Sequence, residues 1–161
     1  MQTLGATLYF ARRNDEAIDI LRKALEIDPN FPSTYVYLAF SHIAKGDVNE
    51  AVTWVEKTPY ALRIPPSVGL RAVLFGIAGR REDATRMLSD LERLAKDRYV
   101  SPHHFAMIHF ALGDMDAWHT ALWQAYEERA NSLVMFKVMP LLDPMRSDPV
   151  FQEIIRKVGL P

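Results

Sequence analysis

Apolar residues recur along this chain at helical rather than strand spacing, and the pattern itself repeats. The stretches AIDILRKAL, AVTWVEKTP and ATRMLSDLE begin at Ala17, Ala51 and Ala84, 34 and 33 residues apart, and WHTALWQAY follows from Trp118 after another 34. In each, large apolar side chains fall three or four positions apart, which gathers them on one face of a helix. A second pattern runs upstream of each in the same register. Its small member sits at Gly5, Ala39, Ala72 and Ala106, preceded by Leu4, Leu38, Arg71 and Phe105. Between the two patterns lie Arg13-Asn14-Asp15, Gly46-Asp47, Gly79-Arg80 and Gly113-Asp114. Glycine takes the positive φ of a helix C-terminus cheaply, and an adjacent Asp or Asn is expected to accept from the free amides of the next helix. The chain is therefore predicted to form four helical hairpins in series.

Two antiparallel helices approach closely only where small side chains meet, with large ones filling the flanking gaps. One hairpin is too small to bury its own apolar face. Stacking on a neighbour supplies the missing core, at about 1.5–3 kcal/mol for each fully buried Leu, Val or Phe.

These residues resemble the tetratricopeptide repeat, in which a large residue, Leu-Gly and Tyr mark the first helix and Ala, Phe and Pro mark the second. The first unit reads Met1, Leu4-Gly5, Leu8, Ala17, Leu21, Ala24, Pro29, and the second Tyr35, Leu38-Ala39, His42, Gly46, Ala51, Val55. The third reads Val68, Ala72, Phe75, Gly79, Ala84, Leu88, with Arg71 in the place of Leu, and the fourth Phe105-Ala106, His109, Gly113, Leu122, Ala125. The resemblance implies an all-α, right-handed superhelical solenoid of antiparallel helix pairs. Its repeats would fall at about 1–31, 32–64, 65–98 and 99–130, followed by a C-terminal capping segment over 131–161. Trp118 stands where the second helix normally carries Ala, so it is expected to fill core and to splay the fourth hairpin. From Thr58-Pro59 to Pro65-Pro66 the prolines stop the preceding helix near Thr58, and a loop and a bend are expected there.

The two ends depart from the repeat. Met1 aligns with the fourth position of its unit, so the chain is expected to be part of a longer array. Toward the C-terminus Pro140, Pro144 and Pro149 punctuate the sequence, and Asp148-Pro149 reads as an N-cap followed by the first helical residue. Phe151, Ile154, Ile155 and Val158 then share one face, predicting a short terminal helix laid across the open end. This tail is similar to the ends of repeat regions attached to bacterial signalling proteins, among them class III nucleotidyl cyclases, serine/threonine kinases and winged-helix regulators. The likeness runs from Arg98-Tyr99-Val100-Ser101-Pro102 to Leu160, most specifically through Tyr126-Glu127-Glu128-Arg129 and Asp143-Pro144-Met145-Arg146-Ser147-Asp148-Pro149. It implies a sensory or adaptor module of a larger signalling or regulatory protein.

Composition narrows the function classes. With 19 Lys and Arg against 20 Asp and Glu the formal charge is −1, so no broad positive field gathers nucleic acid or anionic lipid. Cysteine is absent, which removes thiol chemistry and Cys-based zinc sites. No apolar run has the length of a membrane span, and a cytoplasmic protein is expected. His42, His103, His104, His109 and His119 lack the carboxylate spacing of a zinc-protease motif, and adjacent His103 and His104 should diverge by about 100° on a helix. His42 and His109 stand where the repeat has an aromatic, and each is expected at the core edge with one hydrogen bond. No phosphate loop or nucleophile elbow occurs. We expect a non-enzyme with no cofactor and no metal.

The resemblance further implies that first helices line a concave groove. The corresponding positions are mostly apolar, and Tyr9, Val36, Phe40, Val73, His103, Met107 and Phe110 are the expected contact residues. The Lys, Asn and Arg that grip a peptide carboxylate in some members are missing here. An apolar groove of this kind suits a protein or amphipathic-peptide partner; the alternative is a homodimer in which self-association fills it.

Overall fold

The computed structural model describes residues 1–58 and 65–159, and every regular element among them is helical. The chain divides into two compact units, Met1–Leu62 and Arg63–Pro161.

The first unit holds two hairpins, α1 (Gln2–Phe10) with α2 (Asn14–Ile27) and α3 (Pro32–Ala44) with α4 (Val48–Lys57). Its core is built from the repeated apolar positions: Ala17, Leu21, Leu38 and Ala39 are fully buried, and Ala51 and Val55 nearly so. The α1–α2 seam is very close. A Cβ placed on Gly5 would lie 2.4 Å from Leu21 Cγ, so only glycine fits opposite that leucine. Between the hairpins, α2 lies along α3, and the Tyr35 hydroxyl donates to the Pro29 carbonyl at 2.7 Å. Helix α4 ends at Lys57 with Thr58 as its C-cap, and the loop expected after it lies, over 59–64, outside the described residues.

The second unit holds α5 (Pro65–Ile77) with α6 (Arg81–Ala95), α7 (Pro102–Leu112) with α8 (Met115–Glu127), and the tail. Helices α5 and α7 meet at another small residue, since a Cβ on Gly76 would stand 2.9 Å from Ala111 Cβ and 3.0 Å from its carbonyl oxygen. The tail forms the single turn α9 (Leu133–Phe136), a 3-10 helix over Pro140–Met145, and α10 (Pro149–Lys157). Leu133, Phe136, Leu142, Phe151 and Ile154 are buried with Trp118, Leu122 and Ala125 in one continuous core.

Helices α3, α7 and α10 each open with proline behind an extended residue. Proline loses no hydrogen bond at the first helical position and presets φ there.

All four hairpin turns share one backbone device. The amides of Arg13, Asp47, Arg80 and Asp114 donate to the carbonyls of Leu8, His42, Phe75 and His109, five residues back, at 2.8–3.0 Å. The residue before each donor has positive φ: Gly46 at 83°, Gly79 at 73°, Gly113 at 72°, and in the first turn Arg12 at 61°. This satisfies the last carbonyls of the first helix while reversing the chain. The expected side-chain cap on the following helix forms only at Asp114, which accepts from the Ala117 amide. Asp47 leaves the amides of α4 uncapped, its carboxylate lying 3.6 Å from His42 Nδ1. Arg13 and Arg80 hold that position in the other two turns and donate instead to Glu16 and Asp83, placing an acid in the first turn of α2 and α6.

Trp118 is fully buried, which assigns it to core rather than to a ligand. Its indole stacks on Phe151 of α10 at 6.0 Å between centroids and 23° between planes, with Phe110 at 6.2 Å. The tail is pinned there by two polar anchors. Asp148 accepts from the Phe151 amide through Oδ1 at 2.8 Å, capping α10, and lies 3.0 Å from His119 Nε2 through Oδ2. Arg146 donates to the carbonyls of Phe136 and Met139, both at 3.1 Å, and to Asp143. One guanidinium thereby ties the end of α9, the 3-10 helix and the approach to α10 together.

Candidate partner-binding face

Candidate positions lie on the first helices of each unit. In the first unit the apolar positions of α1 and α3 bring four rings together. Tyr9 and Phe40 stack at 5.8 Å and 22°, Phe10 lies 5.2 Å from Tyr9, and Tyr37 lies 6.0 Å from Tyr9 and 6.1 Å from Phe10. Tyr9 and Phe40 are buried, whereas Phe10, Val36 and Tyr37 keep partial exposure. The rings thus form two layers, an inner pair and an outer pair. Burial raises the Tyr37 hydroxyl above the ordinary tyrosine range, so this phenol is neutral.

In the second unit Val73 and Met107 are buried, while His103 and Phe110 are mostly buried with partial exposure. Of the seven positions named from the sequence, Val36, His103 and Phe110 reach the surface, and Tyr9, Phe40, Val73 and Met107 lie beneath it. Tyr37 was missed. The run Tyr35-Val36-Tyr37 carries the signal, because its two tyrosines sit two residues apart and face different sides of α3. Tyr35 turns toward Pro29 and Trp54, Tyr37 toward Tyr9 and Phe10.

The histidines differ from expectation. His103 and His104 do not diverge: their rings lie 3.8 Å apart between centroids. Gly69 opens the space, since a Cβ there would stand 3.2 Å from His104 Nδ1, and the Ser101 hydroxyl lies 2.9 Å from His103 Nδ1. Burial lowers both imidazoles to about 4, and for His103 the neighbouring His104 adds to the effect. His42 is buried with neither ring nitrogen hydrogen-bonded, so the single bond expected of it is absent. His109 Nδ1 is likewise without a hydrogen bond, 3.7 Å from Asp114 Oδ2. Among the described residues no group of three or more His, Asp or Glu side chains is placed to hold a metal ion.

The lowered pair has a consequence for stability. In the unfolded chain both imidazoles titrate near 6.5, so between there and about 4 the unfolded state binds more protons than the folded one. Stability therefore rises with pH across that window and is lost as the pH falls through it. Urea midpoints measured from neutrality down toward pH 4 should decline, and the double substitution His103→Gln with His104→Gln should flatten the decline. An unchanged slope in the double variant would count against the buried pair as its source.

The surface is also unusual in its charge. Across α1, α3, α5 and α7 the only Lys, Arg, Asp or Glu is Arg71, whose guanidinium lies over the Phe75 ring at 5.8 Å. Helix α2 alone carries Asp15, Glu16, Asp19, Arg22, Lys23 and Glu26. Charge is segregated to the second helices and the turns.

Antiparallel helix pairs repeating at this interval, joined by one turn device and seamed by small residues, define a helical-repeat protein. Residues 11–68 match the family model described as tetratricopeptide repeat, a span that covers α2, α3, α4 and the start of α5. The same register runs on through α5 to α8. No curated protein matches the chain. Tetratricopeptide repeats generally mediate protein–protein interaction and are typically non-catalytic. No helix of the described residues is long and apolar enough to cross a membrane.

Proposed function

We propose that this chain is a non-catalytic interaction scaffold, and that protein partners dock on the first helices of each unit, at Val36 over Tyr9 and Phe40 in the first and at His103 and Phe110 over Val73 and Met107 in the second. The supporting observation is the layered burial just described, in which accessible apolar side chains rest on a packed underlayer that holds them in place. Pre-ordered apolar surface of this kind loses little conformational entropy on binding. The likeness of the tail to repeat regions of bacterial signalling proteins supports a place as the adaptor or sensory module of such a protein, acting in the cytoplasm.

Photocrosslinking tests this. A benzophenone amino acid installed at Val36 or Phe110 should capture a defined protein in cells, whereas the same probe at Glu92, exposed on α6, should not. Equal capture from Glu92 would defeat the assignment. Capture of a second copy of this chain would replace the partner with a homodimer.

A further inference from the structure

Two close contacts join α5 to α7, and they fall in the same register on both helices. A Cβ on Gly76 would stand 2.9 Å from Ala111 Cβ, and one on Gly69 would stand 3.2 Å from His104 Nδ1 and 3.3 Å from His104 Cβ. From Gly69 to Gly76 and from His104 to Ala111 is two helical turns in each case, so the helices run side by side in the same direction. The two contacts differ in chemistry. Gly76 and Ala111 have no group to titrate, whereas the His104 imidazole does, and the His103 ring lies against it at 3.8 Å between centroids.

The surroundings of the two rings oppose positive charge. His103 and His104 are the second and third residues of α7, and Gly69 lies in the second turn of α5, so both helices turn the positive ends of their dipoles toward the pair. The charged groups of the neighbouring elements are engaged elsewhere or stand apart. Arg71 of α5 lies over the Phe75 ring, Asp90 and Arg93 of α6 pair with each other, and Glu128 after α8 accepts from Tyr99 and Gln124. Among the described residues neither these nor Lys96, Asp97, Arg98, His109 or Glu127 forms an ion pair with either imidazole. A proton taken up inside the closed seam therefore meets like charge and no counter-ion.

We propose that the α5–α7 seam is a proton-operated hinge: acid parts the two helices at Gly69–His104, while Gly76–Ala111 keeps them joined and acts as the pivot. Parting returns both rings to water. Burial holds the closed imidazoles at about 4, whereas hydrated ones titrate near 6.5, so the open seam binds protons more readily and grows as the pH falls between those values. Each proton favours opening by up to about tenfold per pH unit in that window. Such an opening is local, and leaves the α7–α8 hairpin and the first unit folded.

Methyl NMR of the full chain from pH 7 down to pH 4 tests the hinge without any partner. The methyls of Val68 and Val73, which flank the titrating contact on α5, should shift along the curve traced by the imidazole Hε1 signals. The Ala111 methyl at the pivot and the Ala17 methyl in the first unit should hold their positions. His103→Gln should leave a shallower, single-proton response, and adding His104→Gln should remove it, with far-UV circular dichroism unchanged at pH 7. If the double variant does not fold, the shallower slope of His103→Gln decides alone. Movement of Ala17 and Ala111 together with Val68 would mean that acid unfolds the chain as a whole, and would overturn the hinge. A response that keeps its full slope in His103→Gln would place the proton elsewhere. Imidazoles that titrate while Val68 and Val73 stay still would show that the rings accept protons without parting the helices, which also overturns it.

Discussion

Trp118→Ala is expected to cost the second unit about 3–5 kcal/mol, the range for truncating a large aromatic in a packed core. For a unit of this size that corresponds to a melting-point drop of roughly 10 °C or more. The indole has no exposure and separates α8 from α10, so its removal leaves a cavity bounded by Phe110 and Phe151. Phe151 would lose the ring it stacks on, and limited proteolysis should then cut the tail near Ser147 sooner. Trp118→Phe should behave differently. The indole N–H is buried with no acceptor, and an unsatisfied buried donor costs about 1–3 kcal/mol. Phenylalanine removes that donor and keeps most of the volume, so the two effects offset and the loss should stay within about 1.5 kcal/mol. Urea denaturation of the two variants side by side checks this, and equal losses would mean that the N–H carries no penalty.

Gly5→Ala is expected to destabilise the first unit by about 2 kcal/mol, although alanine is the better helix former by about 1 kcal/mol. The added methyl would meet Leu21 Cγ at 2.4 Å and Cδ2 at 2.5 Å, and because Leu21 is fully buried it can shift only against packed neighbours. The decisive measurement is a double-mutant cycle. In a Leu21→Ala background the clash is gone, and the same Gly5→Ala change should become neutral or stabilising by up to about 1 kcal/mol. A substitution that costs the same in both backgrounds would show that the seam is not what excludes it.

The fold was legible to the degree that it follows from spacing. Small residues at 5, 39, 72 and 106 and glycines at 46, 79 and 113 announce seams and turns locally, because each feature is decided by neighbours within one repeat. The proline starts of α3, α7 and α10 and the N-cap at Asp148 are local in the same sense. Features that depend on contacts between distant segments were less visible. Position within a repeat marks Tyr9, Phe40, Val73 and Met107 as belonging to the first-helix face, but not their depth, which is set by rings and aliphatic chains arriving from other helices. Arg146 reads as an unremarkable charge until α9 and the 3-10 helix bring two carbonyls to it. The close, tilted contact of His103 with His104 depends on the missing side chain of Gly69, 34 residues before His103. The absence of caps at three of four second helices was illegible for a related reason, since Asp47 has a histidine within reach and Arg13 and Arg80 recruit acids of their own.

The turns carry a final implication. In all four the reversal is made by main-chain atoms, with an amide returning to the carbonyl five residues earlier across a left-handed residue. The side chains at the two ends of that bond are Leu8 with Arg13, His42 with Asp47, Phe75 with Arg80 and His109 with Asp114, an apolar residue with Arg in two turns and His with Asp in the other two. The reversal itself therefore asks for no particular side chain at either end of that bond. One main-chain turn thus serves hairpins whose side chains at these positions are of two different kinds.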